Sequence, residues 1–566
     1  MLARSVKSLL IVGALAAVAP LAAQKAAGPT LITGTVLGSD GKPMRLAHAH
    51  IRSWIDGATI ARATAIADGR FALAVTRPGA YLLEFTGVDH KKLQVPLVTG
   101  RKPTIALDAR LERSTFRRSL DSVAAIGDWN HFDRSSARPL VKQADGRYTL
   151  DVESSAEEVA YQLVGITTDG QAISGTDASR YVYNEENGYR SVLAVQGGTA
   201  TIMFDPQLLD RTPSAAKVAF RDRSSFMARA YEIFSSAEEW GKQYGAAIRA
   251  AREKNEAPQY DWKPAERDFL SRLARERDSS LRELILSRML DFTFRGGARL
   301  DTATAGRIAR ELTPASIWWV FLPGGGPGLI MGAFQQAADP KGNPGAMPTD
   351  STHIDRLIRY IDRAIAENPE RSVQATALAA AVDVLMGQRK VERANQYYDQ
   401  LKREYPEYYR LGNMKARFAP DRALRPGAMV PDYRFAALED SSITFTNESM
   451  RGKVYLIDFW GSWCTGCVQE MPYLHDTYER FASKGFEILS VGVNEPPASI
   501  AKYRLGPWKM PWLHTTPTTF GSGELRPFEI VFVPRAVLVD REGKIIAVDE
   551  AVRGERLKRA VEEALK

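Results

Sequence analysis

The sequence predicts a multidomain chain: two N-terminal β-sandwich domains, a central all-α region and a C-terminal α/β domain. Three observations carry this. At 566 residues the chain holds roughly three to five domains of ordinary size. Its hydrophobic period switches from alternation over residues 30–206 to i, i+3, i+4 spacing over 223–422. The last ~140 residues, close to one domain's length, read strand–helix–strand, then a hairpin and a helix.

Composition narrows the class. An apolar fraction of 45% and a charged fraction of 25% are ordinary for globular protein. The net charge of +8 is modest for this length, and no basic block is interleaved with aromatics, so nucleic acid is not an expected partner. At the start, Arg4 and Lys7 precede an apolar run from Leu9 to Ala19, and Ala22 and Ala23 offer a cleavage point before Gln24. This is the layout of a secretory signal peptide over residues 1–23, which predicts the periplasm or cell envelope of a bacterium; an uncleaved anchor is the alternative. The other uncharged stretch, Thr313 to Gln336, is interrupted by Pro323-Gly-Gly-Gly-Pro327-Gly328, which would break a membrane-spanning helix. Two buried helix ends around a loop are expected there.

Residues 30–112 are predicted to be all-β. LITGTVLG, AHAHIRSWI, GRFALAV, GAYLLEF and KLQVPLV are short runs parted by Ser39-Asp-Gly41, Ala67-Asp-Gly69 and Arg77-Pro-Gly79. The segments TGTVLGSDGKPM and DGRFALAVTRPGAYLLEF resemble the carboxypeptidase regulatory-like sandwiches. His48 and His50 fall on one face of a strand. With no third ligand identifiable, a surface or hydrogen-bonded pair is expected rather than a metal site. Residues 119–206 form a second β-rich unit, in which VAAIGDWNHFD, DGRYTLDVE and EEVAYQLVGITTDG resemble the early-set sandwiches of the glycogen-binding type. That family carries Gly-x-Phe-Asn-x-Trp, whereas this chain has Gly127-Asp-Trp129-Asn130-His-Phe132. With the aromatics exchanged, core packing is the expectation, and a glycan or envelope partner is the alternative.

From 223 to 422 the pattern is helical. Leu378, Ala381, Val382, Leu385, Ala394, Tyr398, Leu401 and Pro406 occupy the positions of a tetratricopeptide (TPR) hairpin. A single copy predicts a stacking surface or spacer without chemistry of its own.

Arg425-Pro426-Gly427 precedes the last domain, placed at 424–566. Its centre is VYLIDFWGSWCTGC, Val454 to Cys467: a β-branched and aromatic run, a Gly-Ser turn, then Cys464 and Cys467 opening an amphipathic helix. The CxxC helix is expected to extend to about Ser483, FEILSVGV to form the next strand, Ala536–Asp540 and Ile545–Val548 the hairpin, and 552–565 the closing helix. Cysteines at i and i+3 in a first turn lie close enough for a reducible disulfide, and a sulfur at a helix start is stabilised as thiolate. The chain's two cysteines are both here, so they cannot staple distant segments. A zinc site would need four ligands, and only His475 is near. No cofactor is therefore expected, with the Cys464–Cys467 disulfide as the redox group.

This domain resembles the thioredoxin superfamily, in particular the exported TlpA/ResA-like thiol–disulfide oxidoreductases. The resemblance rests on GKVYLIDFWGSWCTGC, on Pro472 in the helix and on Val533-Pro534 before a strand. It implies that Cys464 is the attacking thiol and Cys467 the resolving one, and that Pro534 is a cis-proline beside the disulfide. It also implies proton-managing roles for Asp458, six residues before Cys464, and Glu470, three after Cys467. Trp463 and Val533 are expected at the substrate face, with Trp460 in the core. Arg535 replaces the threonine usual after that proline, which would set a cation near the sulfurs and in contact with substrate. The implied function is reduction or exchange of disulfides in envelope proteins, with a membrane electron donor if the direction is reductive. The alternatives are an envelope binding or scaffold protein with the domain as redox sensor or tether, and a thiol peroxidase.

Overall fold

The computed structural model describes residues 28–566, apart from 45, 66–67, 121, 176–179, 185–187, 255–259, 297–298, 323–325, 339–350 and 507–508. The expected signal peptide lies outside the described residues. The chain divides into two compact units, Met1–Arg288 and Met289–Lys566.

In the first unit, alternating sequence makes half-buried strands. Thr30–Leu37 sits between Arg70–Val75 and Thr104–Arg110 in a four-stranded sheet. A second four-stranded sheet runs Thr59–Thr64, His48–Arg52, Gly79–Thr86, Leu93–Thr99. The Phe71 and Phe85 rings meet edge-on at 5.2 Å. Residues 30–112 do not complete the first sheet: Lys217–Phe220 returns to pair antiparallel with Thr104–Arg110. A five-stranded and a three-stranded sheet follow within 124–204, around Val152, Tyr161, Leu163, Ile202 and Phe204. Trp129 packs against that core, and one face of the Phe132 ring is covered by the Arg190 guanidinium at 3.5 Å. His50 is buried; His48 stacks on Tyr183 at 4.0 Å and meets the Tyr189 hydroxyl at 2.6 Å. Among the described residues, no group of three or more His, Cys, Asp or Glu is gathered as a metal ion requires.

The helical stretch 223–422 is not one body. Phe226–Lys254 and Lys263–Arg275 belong to the first unit, and the boundary falls inside Ser279–Gly296. In the second unit, Arg371–Gly387 and Val391–Glu404 form a helical hairpin. It buries Leu378, Ala381, Val382 and Leu385 on one arm and Ala394, Tyr398 and Leu401 on the other. The Trp-rich stretch forms a short 3₁₀ turn over Ile317–Phe321 with Trp318 and Trp319 buried, then a helix Ile330–Ala338. Among the described residues, no helix is long and apolar enough to cross a membrane.

The C-terminal α/β domain has a five-stranded sheet flanked by a short hairpin. In chain order its elements are β1 (Arg434–Ala436), β2 (Thr444–Thr446), β3 (Val454–Trp460), α1 (Thr465–Phe481), β4 (Phe486–Gly492), α2 (Pro497–Tyr503), β5 (Leu513–His514), β6 (Arg535–Val539), β7 (Ile545–Val548) and α3 (Glu555–Ala564). The sheet order is β5-β4-β3-β6-β7, with β3, β4 and β5 parallel and β6 antiparallel to β3. Every residue of β3 is buried, as a near-continuous apolar run requires of a central strand covered on both faces. One face packs Leu456 and Trp460 with the cysteines, α1 and α3. The other packs Tyr455, Ile457 and Phe459 against Tyr433, Phe435 and Phe528. The closing helix begins at Glu555, later than 552, because Asp549–Val552 makes a separate 3₁₀ turn.

Candidate active site

The site is built where β3 turns into α1. Glu495, from the segment after β4, accepts the Ser462 backbone N–H at 3.1 Å and the Ser462 hydroxyl at 2.6 Å, which pins the Gly-Ser turn. Trp463 is 52% exposed, and its indole N–H donates to the Val493 carbonyl at 3.0 Å. Cys464 is the N-cap of α1, and its Sγ accepts the Cys467 backbone N–H at 3.1 Å. A helix N-terminus presents unpaired N–H groups and a partial positive charge, so this sulfur sits where a thiolate is favoured. Cys464 and Cys467 are joined in a disulfide, 8% and 2% exposed. Pro472 stands inside α1, where it cannot donate to the carbonyl four residues back.

Pro534 comes from the other side, on the loop entering β6. The Val533–Pro534 peptide bond is cis, and a Cβ on Gly466, between the cysteines, would touch the proline ring at 3.6 Å. Val533 is half-buried against the cores on both faces.

Asp458 lies between Leu456 and Trp460 on the cysteine face of β3. It is 6% exposed, and its Oδ2 has no hydrogen-bond partner. Burial pushes its carboxyl up to about 7; the Arg553 cation pulls it down and the Glu470 carboxylate pushes it up. Glu470, half-buried on α1, accepts the Gly554 backbone N–H at 2.8 Å. The structure thus gathers Cys464, Cys467, Asp458, Glu470, Pro534 and Trp463 at one end of the sheet. Trp460 is fully buried against Tyr503.

Arg535 is not in that group. Its side chain is fully buried, with Nε 2.9 Å from Asp549 Oδ1 and Nη2 3.4 Å from the Ala416 carbonyl. The reason is register: Asp458 pairs with Ala536 and Phe459 with Arg535. Directly paired residues share a face, so Arg535 follows Phe459 away from the sulfurs. The expectation of a cation there, touching substrate, is corrected. The cation on the cysteine side is Arg553, which donates to the Pro534 carbonyl oxygen. Sequence reading missed it because the closing helix expected over 552–565 counts Arg553 as one more helical residue, whereas that helix begins at Glu555. The glycine was the usable signal, since Gly554 adopts φ +54°, a conformation that favours glycine.

Known proteins resemble this chain over its C-terminal domain. The Redoxin family matches residues 425–565. The thiol-disulfide oxidoreductase ResA of Geobacillus thermodenitrificans is 31% identical over 132 residues, 23% of this chain and 71% of that protein. ResA of Bacillus cereus is 27% identical over 150 residues, 26% of this chain and 82% of that protein. Among solved structures, the thioredoxin domain of a thiol-disulfide oxidoreductase from Bacteroides vulgatus is 30% identical, covering 25% of this chain and 99% of that chain at a TM-score of 0.23. Through its C-terminal domain, the chain belongs to the ResA-like family of the thioredoxin superfamily.

Proposed function

We propose that this protein is an exported thiol–disulfide oxidoreductase that reduces or exchanges disulfides in envelope proteins. The observation that carries this is the asymmetry of the two sulfurs: Cys464 caps α1, accepts a backbone N–H and is the more exposed, while Cys467 lies beneath it. In the reduced protein, the Cys464 thiolate attacks a substrate disulfide, forming a mixed disulfide and expelling one substrate thiolate, which takes up a proton. Asp458, a buried carboxyl poised near neutrality, accepts the Cys467 proton. The Cys467 thiolate then attacks Cys464 Sγ and releases the second substrate thiol. Two electrons have moved to the substrate, and the protein is left with the Cys464–Cys467 disulfide.

No separate cofactor is needed for this exchange. Repeated reduction requires an electron donor, and in an oxidising compartment that donor is a membrane partner. Trp463 and Val533 are the proposed substrate-facing side chains, and the Pro534 loop borders the disulfide. The test is Cys467→Ser in the full chain, which is expected to accumulate mixed disulfides on Cys464 with envelope proteins, while wild type reduces insulin. A variant that traps nothing, with Cys464 still open to alkylation, would overturn protein disulfides as the substrate.

A further inference from the structure

The segment Asp549–Gly554 touches several parts of the site at once. Arg553 donates through Nη2 to the Pro534 carbonyl oxygen, and the same nitrogen stands 3.9 Å from Asp549 Oδ1. Gly554 next to it holds Glu470 through its backbone N–H. The Arg553 side chain is 19% exposed, so its cation is largely shielded from solvent screening. Beside Asp458 on the neighbouring strands stand Ser490 and Ala536, both uncharged. Among the described residues, the charges acting on Asp458 are therefore Arg553, from the segment before α3, and Glu470, from α1.

We propose that Arg553 is a positioning residue of the thiol–disulfide site: one side chain fixes the Pro534 carbonyl that borders the disulfide and holds a cation near Asp458. This rests on the disulfide-exchange reading and extends it to a residue outside the CxxC helix and the proline loop. The two duties are separable. The hydrogen bond fixes the loop along which a substrate strand would lie. The charge keeps Asp458 ionised, hence able to take the Cys467 proton, at a pH where burial alone would leave it protonated.

The test uses the reduced full chain and a chromogenic aromatic disulfide, 5,5′-dithiobis(2-nitrobenzoate). Attack by Cys464 releases one thiolate; resolution by Cys467 releases the second. The rate of the second release is followed from pH 5 to 9. Wild type is expected to show an inflexion near 7. Arg553→Met is expected to move it up by about one unit and slow resolution at pH 7 about five-fold, as loss of a nearby cation implies. Arg553→Lys keeps the charge and should keep the inflexion. Arg553→Gln keeps a donor for the Pro534 carbonyl and should show the shifted inflexion with KM for insulin near wild type. In an Asp458→Asn background, the Arg553 variants should add no further shift. A wild type that releases the first thiolate and never the second overturns the exchange reading itself. A wild type that releases both, with superimposable profiles for Arg553→Met and wild type, overturns only the role given to Arg553.

Discussion

Asp458 and Asp549 are each 6% exposed and belong to the same domain, yet their surroundings differ in kind. Asp549 receives the Arg535 Nε at 2.9 Å, with Arg553 at 3.9 Å. Asp458 has an oxygen, Oδ2, with no hydrogen-bond partner, and Arg553 acts on this carboxyl through its charge. Equal burial therefore gives two roles. The Arg535 pair ties the Asp549 turn to β6, whereas burial drives Asp458 toward its neutral form, as the proposed proton carrier requires. Register decides which is which, because β6 sends Arg535 to the Phe459 face and leaves Ala536 beside Asp458.

The sharpest way to break this contrast is to remove the cation from the paired side. Arg535→Met leaves Asp549 buried with only the more distant Arg553, and is expected to cost about 3–5 kcal/mol. Arg535→Met with Asp549→Leu should recover most of that, since a well-packed apolar pair often replaces a buried ion pair without loss. Urea unfolding followed by tryptophan fluorescence reads both. If the single variant unfolds at the wild-type midpoint, the pair is not what ties this segment to the sheet.

On the other side, Asp458→Asn tests the proton carrier. The folded carboxyl titrates near 7 and the unfolded one near 4. Its contribution to stability is therefore fully present below about pH 4 and is lost as pH rises through 7. Between pH 5 and 8, wild type should lose stability by on the order of a few kcal/mol, and Asp458→Asn should lose less. At pH 8 the same variant should resolve mixed disulfides about a hundred-fold more slowly. Parallel stability curves for the two proteins between pH 5 and 8 would place Asp458 with Asp549, as a structural group.

How far the sequence reached follows from the same contrast. The CxxC, the apolar strand before it, Pro472 and Pro534 are local patterns, each legible within a few residues. The sulfur asymmetry was legible too, because an N-cap is a local feature. The direction of Arg535 was not, since it depends on the register between strands 76 residues apart (Phe459 and Arg535). Arg553 and Glu495 act on Pro534 and Ser462 respectively, across gaps that carry no periodic signal. The helical region shows the same limit at larger scale. Periodicity gave a helical stretch from 223 to 422, but which helices share a compact unit depends on tertiary packing, and the boundary falls at 288.

Two glycines sharpen the picture at the cysteine face, and their expected effects are smaller. A Cβ on Gly461 would lie 2.5 Å from Trp463 Nε1, so Gly461→Ala must push the indole off its bond to the Val493 carbonyl. Moving one partly exposed ring is expected to cost about 1 kcal/mol. It should raise KM for insulin more than it lowers turnover of a small disulfide, which separates substrate contact from chemistry.

At Gly466 the same operation meets no clash. The added methyl would sit 3.6 Å from two carbons of Pro534, an ordinary contact distance, and the position has no left-handed backbone to protect. Alanine also favours the helix by up to about 1 kcal/mol over glycine, so Gly466→Ala should leave stability unchanged or slightly raised. Its effect belongs to the surface instead: a methyl between the sulfurs and the proline narrows the cleft a polypeptide must enter. Insulin reduction should fall several-fold while reaction with a small aromatic disulfide holds. Equal losses for both substrates would mean that Gly466 serves the sulfurs directly, and that the Pro534 side of the cleft does not select for size.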